Sequence, residues 1–172
     1  MGKTKTIDEL NTCSREEFVR EVGPVFEHSP WIAEVASARR PFADLEFMHQ
    51  ALCETVRAAG TEKQLELIQA HPDLVGRAAL AGTLTSQSTS EQAAAGLDRL
   101  TEAEIDSFQQ FNRSYRGKFG FPFVICARLN KKEAILNGFR TRLEHSREEE
   151  IETALGEIYK IAYLRLRDIV SP

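Results

Sequence analysis

At six places where a helix could begin, a serine or threonine stands three residues ahead of a glutamate or glutamine: Thr6/Glu9, Ser14/Glu17, Thr61/Gln64, Ser88/Glu91, Thr101/Glu104 and Ser146/Glu149. At that spacing the hydroxyl accepts from a backbone N–H in the first helical turn while the carboxyl or amide reaches back, so each pair is a candidate helix start. Between the pairs, apolar residues recur in steps of three and four, the period of a helix with one buried face. Pro30 and Pro72 stand where a first helical turn tolerates proline. A chain punctuated this way has little room for a sheet. The predicted fold is all-α, with helices near 6–11, 15–22, 30–38, 42–59, 62–70, 72–81, 89–97, 102–117, 131–143 and 147–169. That makes a bundle of about eight to ten helices, in a single domain over residues 1–172.

One stretch resists the helical reading. "FGFPFVICA", Phe119 to Ala127, is apolar, aromatic and broken by Gly120 and Pro122. It reads as short, extended and buried, yet no second strand is available to pair with it. Its backbone groups need partners. These must come from helix ends and side chains, or from a ligand.

Composition narrows the function. A net charge of −4 argues against a nucleic-acid binder. No apolar run approaches the roughly 18 residues of a membrane span. "MGKTKTIDEL" lacks the apolar core of a signal peptide and, despite its Met-Gly start, is a weak match to a myristoylation motif, and "DIVSP" is not a peroxisomal tripeptide. The expected location is the cytoplasm. Cys13, Cys53 and Cys126 are odd in number and far apart, which fits reduced thiols acting as small hydrophobes.

Some residues stand out as candidates for chemistry. His71 precedes Pro72, which biases its backbone away from the helix and sets an imidazole suited to proton transfer at a helix mouth. Its bland reading is a cap, and Asp73 beside it reads most simply as a partner of the helix dipole. "TSQSTSEQ" (85–92) gathers five hydroxyl side chains with Gln87, Glu91 and Gln92 at another helix start, a cradle for a small polar ligand. For Glu91 the plain alternative is a capping box with Ser88. On the last helix the apolar stripe Ile151, Leu155, Ile158, Ala162, Ile169 continues onto Arg165. A core-facing arginine must snorkel, pair with a carboxylate such as Glu27 or Glu91, or meet a ligand anion. Glu46-x-x-His49 has the spacing of a di-iron bundle, but no second Glu-x-x-His exists, so no metal site is expected.

Taken together, "EHSPW" (27–31), "RPF" (40–42), "HPDLVGRAALAGTLTSQSTSEQAAAGLDRLT" (71–101), "FGFPFVICA" (119–127) and "IAYLRL" (161–166) resemble the OHCU decarboxylases. That family acts on 2-oxo-4-hydroxy-4-carboxy-5-ureidoimidazoline in uric acid breakdown. The resemblance covers nearly the whole chain. It implies an all-helical homodimer that releases CO2 to give (S)-allantoin with no metal or organic cofactor, in functional association with upstream urate-pathway enzymes. By motif position it makes His71 and Glu91 the catalytic residues. It assigns substrate contact to Pro72, Ser88, Gln92, Arg165 and the backbone of Phe123, Val124, Ile125, Cys126 and Ala127. The family often carries arginine where this chain has Tyr163, a position expected off the core stripe.

Two other readings share part of this pattern. A helical interaction module explains the caps and stripes but not Arg165 or FGFPFVICA. A hydrolase of a related ureide keeps the pocket but needs an activated water.

Overall fold

The computed structural model describes residues 4–171, so the extreme ends read for targeting signals lie outside it. Among the described residues there are ten α-helices and three short 3-10 turns, and the only β pairing is an isolated bridge between Lys5 and Val170. No described helix is long and apolar enough to cross a membrane. The chain divides into two compact units: residues 1–70 with 159–172, and residues 71–158.

The first unit contains α1 (Ile7–Thr12), α2 (Arg15–Val22), α3 (Trp31–Ala36), α4 (Leu45–Ala58), α5 (Gly60–Gln69) and the C-terminal part of α10 (Arg147–Ile169). Thr6 caps α1 in a full capping box with Glu9, and Asp44 caps α4 through the Phe47 N–H. Phe18, Phe26, Ile32, Met48, Leu52, Leu67, Ala162 and Leu166 are buried as its core. The "RPF" arginine closes α1: Arg40 Nη1 donates to the carbonyls of Leu10 (3.0 Å) and Cys13 (2.8 Å).

The second unit contains α6 (Arg77–Leu80), α7 (Ser86–Ala94), α8 (Glu102–Phe119), α9 (Lys132–Arg142) and the N-terminal part of α10. A full capping box from Thr101 and Glu104 starts α8, and Gly120, at φ 81°, ends it in the left-handed conformation that glycine adopts freely. The core is aromatic. The Tyr115 ring lies 4.6 to 6.3 Å from those of Phe119, Phe121, Phe123 and Phe139, and Phe123 stacks on Phe139 at 3.8 Å.

Three sequence expectations are corrected. The predicted helix 72–81 is helical only over Arg77–Leu80, and Pro72 belongs to the irregular run before it. Val75 there has φ 53°, a left-handed value a β-branched residue rarely takes, held by the tertiary hydrogen bonds described below. The predicted helix 89–97 begins three residues earlier. Thr85 is its cap, accepting from the Ser88 N–H, so Ser88 and Glu91 are not a capping box. Thr61/Gln64 is no cap either: α5 starts at Gly60, and Gln64 donates to the Val56 carbonyl at 3.2 Å.

Candidate active site

Most of the sequence-flagged residues fall in the second unit, on three pieces of chain. The first is the run 71–76. His71 is buried, and the residues after it are tied down from two helices. Asn112 Nδ2 on α8 donates to the Leu74 carbonyl (2.8 Å), Gln92 Oε1 on α7 accepts from the Val75 N–H (3.1 Å), and Arg116 Nε donates to both Asp73 carboxylate oxygens (2.9 and 3.1 Å). Asp73 therefore answers an arginine rather than the helix dipole.

The second piece is α7. Because Thr85 takes the cap, Ser88, Glu91 and Gln92 lie inside the helix, where steps of three and four put them on one face. That face turns inward: Ser88 and Gln92 are buried and Glu91 half-buried, while Gln87, Thr89 and Ser90 are exposed. A polar buried face on a short helix does not contribute much hydrophobic burial, so its residue types call for another explanation. Gln92 joins this face to the His71 run directly.

The third piece is FGFPFVICA. Its burial is as expected, but the non-helical run is shorter than 119–127, because Phe119 ends α8 and Ala127 opens a 3-10 turn. Phe121, Phe123, Val124, Cys126 and Ala127 are buried and Ile125 is half-buried. Side chains supply several of its missing backbone partners. Arg142 Nη1 donates to the Val124 carbonyl (2.7 Å), Glu157 Oε2 accepts from the Cys126 N–H (2.8 Å), and Asn130 Nδ2 donates to the Cys126 carbonyl (2.9 Å). The 3-10 turn that follows, Ala127–Leu129, packs against α7.

Behind this segment lies a charged cluster that the sequence reading missed. Glu150, fully buried, receives Arg142 Nη2 at 2.8 Å and His145 Nδ1 at 2.8 Å, and also bonds the Tyr115 hydroxyl. Burial together with this carboxylate pushes the Tyr115 hydroxyl pKa above its ordinary value. The signal was present in the sequence. Stepping back from Ile158 by four to buried Ala154 and by four again lands on Glu150, just as stepping forward from Ala162 lands on Arg165.

Arg165 belongs to the first unit. It is buried, as its place on the stripe required, and its Nη1 donates to Glu27 Oε2 at 2.9 Å. Tyr163 is half-buried, bonds Glu46 (2.9 Å) and meets the His49 ring edge-on at 5.2 Å. His49 Nε2 sits 2.8 Å from the Tyr159 carbonyl, and burial holds its pKa below the usual histidine value. Burial also pushes the Cys53 thiol up to about 12, so it is not a nucleophile near neutral pH. Among the described residues, no group of three or more His, Cys, Asp or Glu side chains could hold a metal ion.

An all-helical chain with a buried histidine, an inward polar helix face and a buried irregular segment in one unit has the parts of a small-molecule enzyme. The family model for OHCU decarboxylase matches residues 11–167, and the chain belongs to that family. It is 42% identical to the 2-oxo-4-hydroxy-4-carboxy-5-ureidoimidazoline decarboxylase of Halalkalicoccus jeotgali, over 97% of this chain and 93% of that protein. It is 40% identical to the uric acid degradation bifunctional protein PucL of Bacillus subtilis, over 96% of this chain and 33% of that protein. Among solved structures it resembles (S)-allantoin synthase, with a TM-score of 0.77 and 27% identity over 97% of this chain and 54% of that one.

Proposed function

We propose that this protein decarboxylates 2-oxo-4-hydroxy-4-carboxy-5-ureidoimidazoline to (S)-allantoin and CO2 in uric acid degradation, with His71 and Glu91 as its catalytic residues. One observation carries the reading: the chain aligns with the Halalkalicoccus decarboxylase over nearly the full length of both. The geometry of the second unit suits the chemistry. Loss of CO2 leaves an electron pair on carbon, and the substrate's own conjugated ring and carbonyl can receive it. The protein then has to hold the ring and deliver a proton to one face.

In this reading His71 transfers the proton, and Glu91 orients the imidazole and favours its charged form. Ser88 and Gln92 read the ureido and ring amide groups. Pro72 and the Phe123–Ala127 backbone complete the pocket wall. The Val124 carbonyl and the Cys126 N–H are already engaged by Arg142 and Glu157, so they support this role by holding the segment in one conformation. Arg165 enters by motif position alone, as a contact to an oxygen that gains charge as the carboxylate leaves. Gripping the departing carboxylate equally throughout would stabilise the ground state and give no acceleration. The expected assembly is a cytoplasmic homodimer associated with upstream urate-pathway enzymes. The bifunctional relative supports that association, since this chain spans only a third of it.

The test is a circular-dichroism time course on freshly generated substrate, with the protein, with His71→Asn and with no enzyme. Rapid appearance of the (S)-allantoin signal, lost in His71→Asn, is the expected result. A rate equal to spontaneous decay would remove the decarboxylase reading. Full activity in His71→Asn would keep the reaction and overturn the assignment of the proton donor. Sedimentation equilibrium should give twice the 19.4 kDa chain mass.

A further inference from the structure

In the second unit, α6 and α8 flank a cavity of about 640 Å³ that includes neither His71 nor Glu91 in its lining. Three arginines line it: Arg77 from α6, and Arg113 and Arg116 from α8. Only one carboxylate answers them, Asp73, which is held by Arg116 Nε at 2.9 Å. The side chains of Arg77 and Arg113 make no ion pair or hydrogen bond among the described residues. In a chain of net charge −4, this lining has two guanidiniums in excess. Their planar forks suit carboxylates.

Two amides share the lining. Gln109 sits one turn before Arg113 on α8. Asn112 is more than nine-tenths buried; its Nδ2 is used on the Leu74 carbonyl, and its Oδ1 has no hydrogen-bond partner. A buried acceptor without a donor is unfavourable, and since Oδ1 has almost no accessible surface, a ligand N–H relieves that only when the amide turns towards the cavity. Leu80, exposed on α6, and Ala81 add a small apolar edge.

The geometry points to a second ligand site here, for a small carboxylate that also carries amide-type N–H groups. The arginines hold the carboxylate and the two amides take the N–H groups. A ureido acid is the simplest such molecule. Asp73, the one opposing charge, is already neutralised by Arg116. The site stands on its own residues and does not depend on the decarboxylase assignment.

The experiment titrates the full-length protein with N-carbamoylglycine at constant ionic strength, following backbone amide shifts by NMR and affinity by calorimetry. Butyrate, a carboxylate without N–H groups, is the comparison ligand. Arg77→Gln, Arg113→Gln and the exposed Arg99→Gln are the variants. Shifts centred on residues 76–81 and 109–116 are expected. Affinity should fall about tenfold in Arg77→Gln and in Arg113→Gln, and stay unchanged in Arg99→Gln. Butyrate should bind about fivefold more weakly or worse. Shifts centred on Ser88 to Gln92 and insensitive to Arg113→Gln would assign the affinity to the His71 site and overturn the proposal. Equal binding of butyrate, or equal loss in Arg99→Gln, would overturn it as well.

Discussion

Arg165 and Glu27 place opposite charges 2.9 Å apart with side chains only 5% and 3% exposed, so neither charge has water to fall back on. Removing one partner takes from the other its 2.9 Å counter-charge at a buried position. Arg165→Met is expected to destabilise by about 3–5 kcal/mol in urea unfolding, and Arg165→Met/Glu27→Leu to recover most of that loss. A double variant as unstable as the single would show that the pair is not the source of the cost. His49 offers a pH test. Its folded pKa lies below the usual 6.5 because it is buried, so the unfolded chain binds the proton more readily. Its contribution to stability is therefore complete above about pH 6.5 and is lost as pH falls below that value. The urea midpoint should drop between pH 7 and 5, and His49→Gln should flatten part of the drop. Arg165 was legible in the sequence because a charge on a stripe contradicts its neighbours. Its carboxylate partner was narrowed to two candidates and no further, since nothing local separates Glu27 from Glu91.

The run 71–76 and helix α7 show how local signals lose to tertiary ones. "TSQSTSEQ" offers several hydroxyls that could each cap a helix, and the sequence alone does not rank Thr85 above Ser88. The structure's choice of Thr85 turns Glu91 from a cap into a residue of an inward face. In the same way, Pro72 and a helical apolar period predicted a helix over 72–81. The Val75 N–H donates to Gln92 and Asn112 donates to the Leu74 carbonyl, and these two bonds hold the chain out of it. Gly76 tests how tightly that run is shaped. A Cβ added there would lie 2.6 Å from Asp73 Cβ and 3.2 Å from the Asp73 carbonyl oxygen, so the backbone must move. With His71 only two residues from Asp73, Gly76→Ala should lower kcat/KM by about tenfold to a hundredfold. Steady-state kinetics beside a melting curve checks this. Wild-type kinetics in a folded Gly76→Ala protein would mean the run tolerates displacement. FGFPFVICA was recognised as an anomaly of composition, but its anchors on α9 and α10 are distant in sequence and carried no local mark.

At the scale of the chain, helical periodicity located the long elements closely: α8 and α10 begin at the residues their capping pairs indicated. The division into two units was not legible, because it depends on which distant helices pack together. Helix α10 carries residues of both, with Arg147 to Ile158 in the second unit and the rest in the first. Gly156 sits inside this helix, near that change of unit, and a Cβ added there would meet nothing within 4 Å. Glycine in a helix interior is less favourable than alanine by roughly 0.5–1 kcal/mol, mainly through the freedom it regains on unfolding. Gly156→Ala should therefore stabilise the protein by about that amount. Because one continuous helix supplies core residues to both units, the gain should appear in both when native-state hydrogen exchange is measured. Protection should rise around Tyr115 and Phe108 in the second unit and around Leu52 and Met48 in the first. A rise confined to the second unit would mean that α10 opens in two pieces near Ile158 and that the units unfold separately.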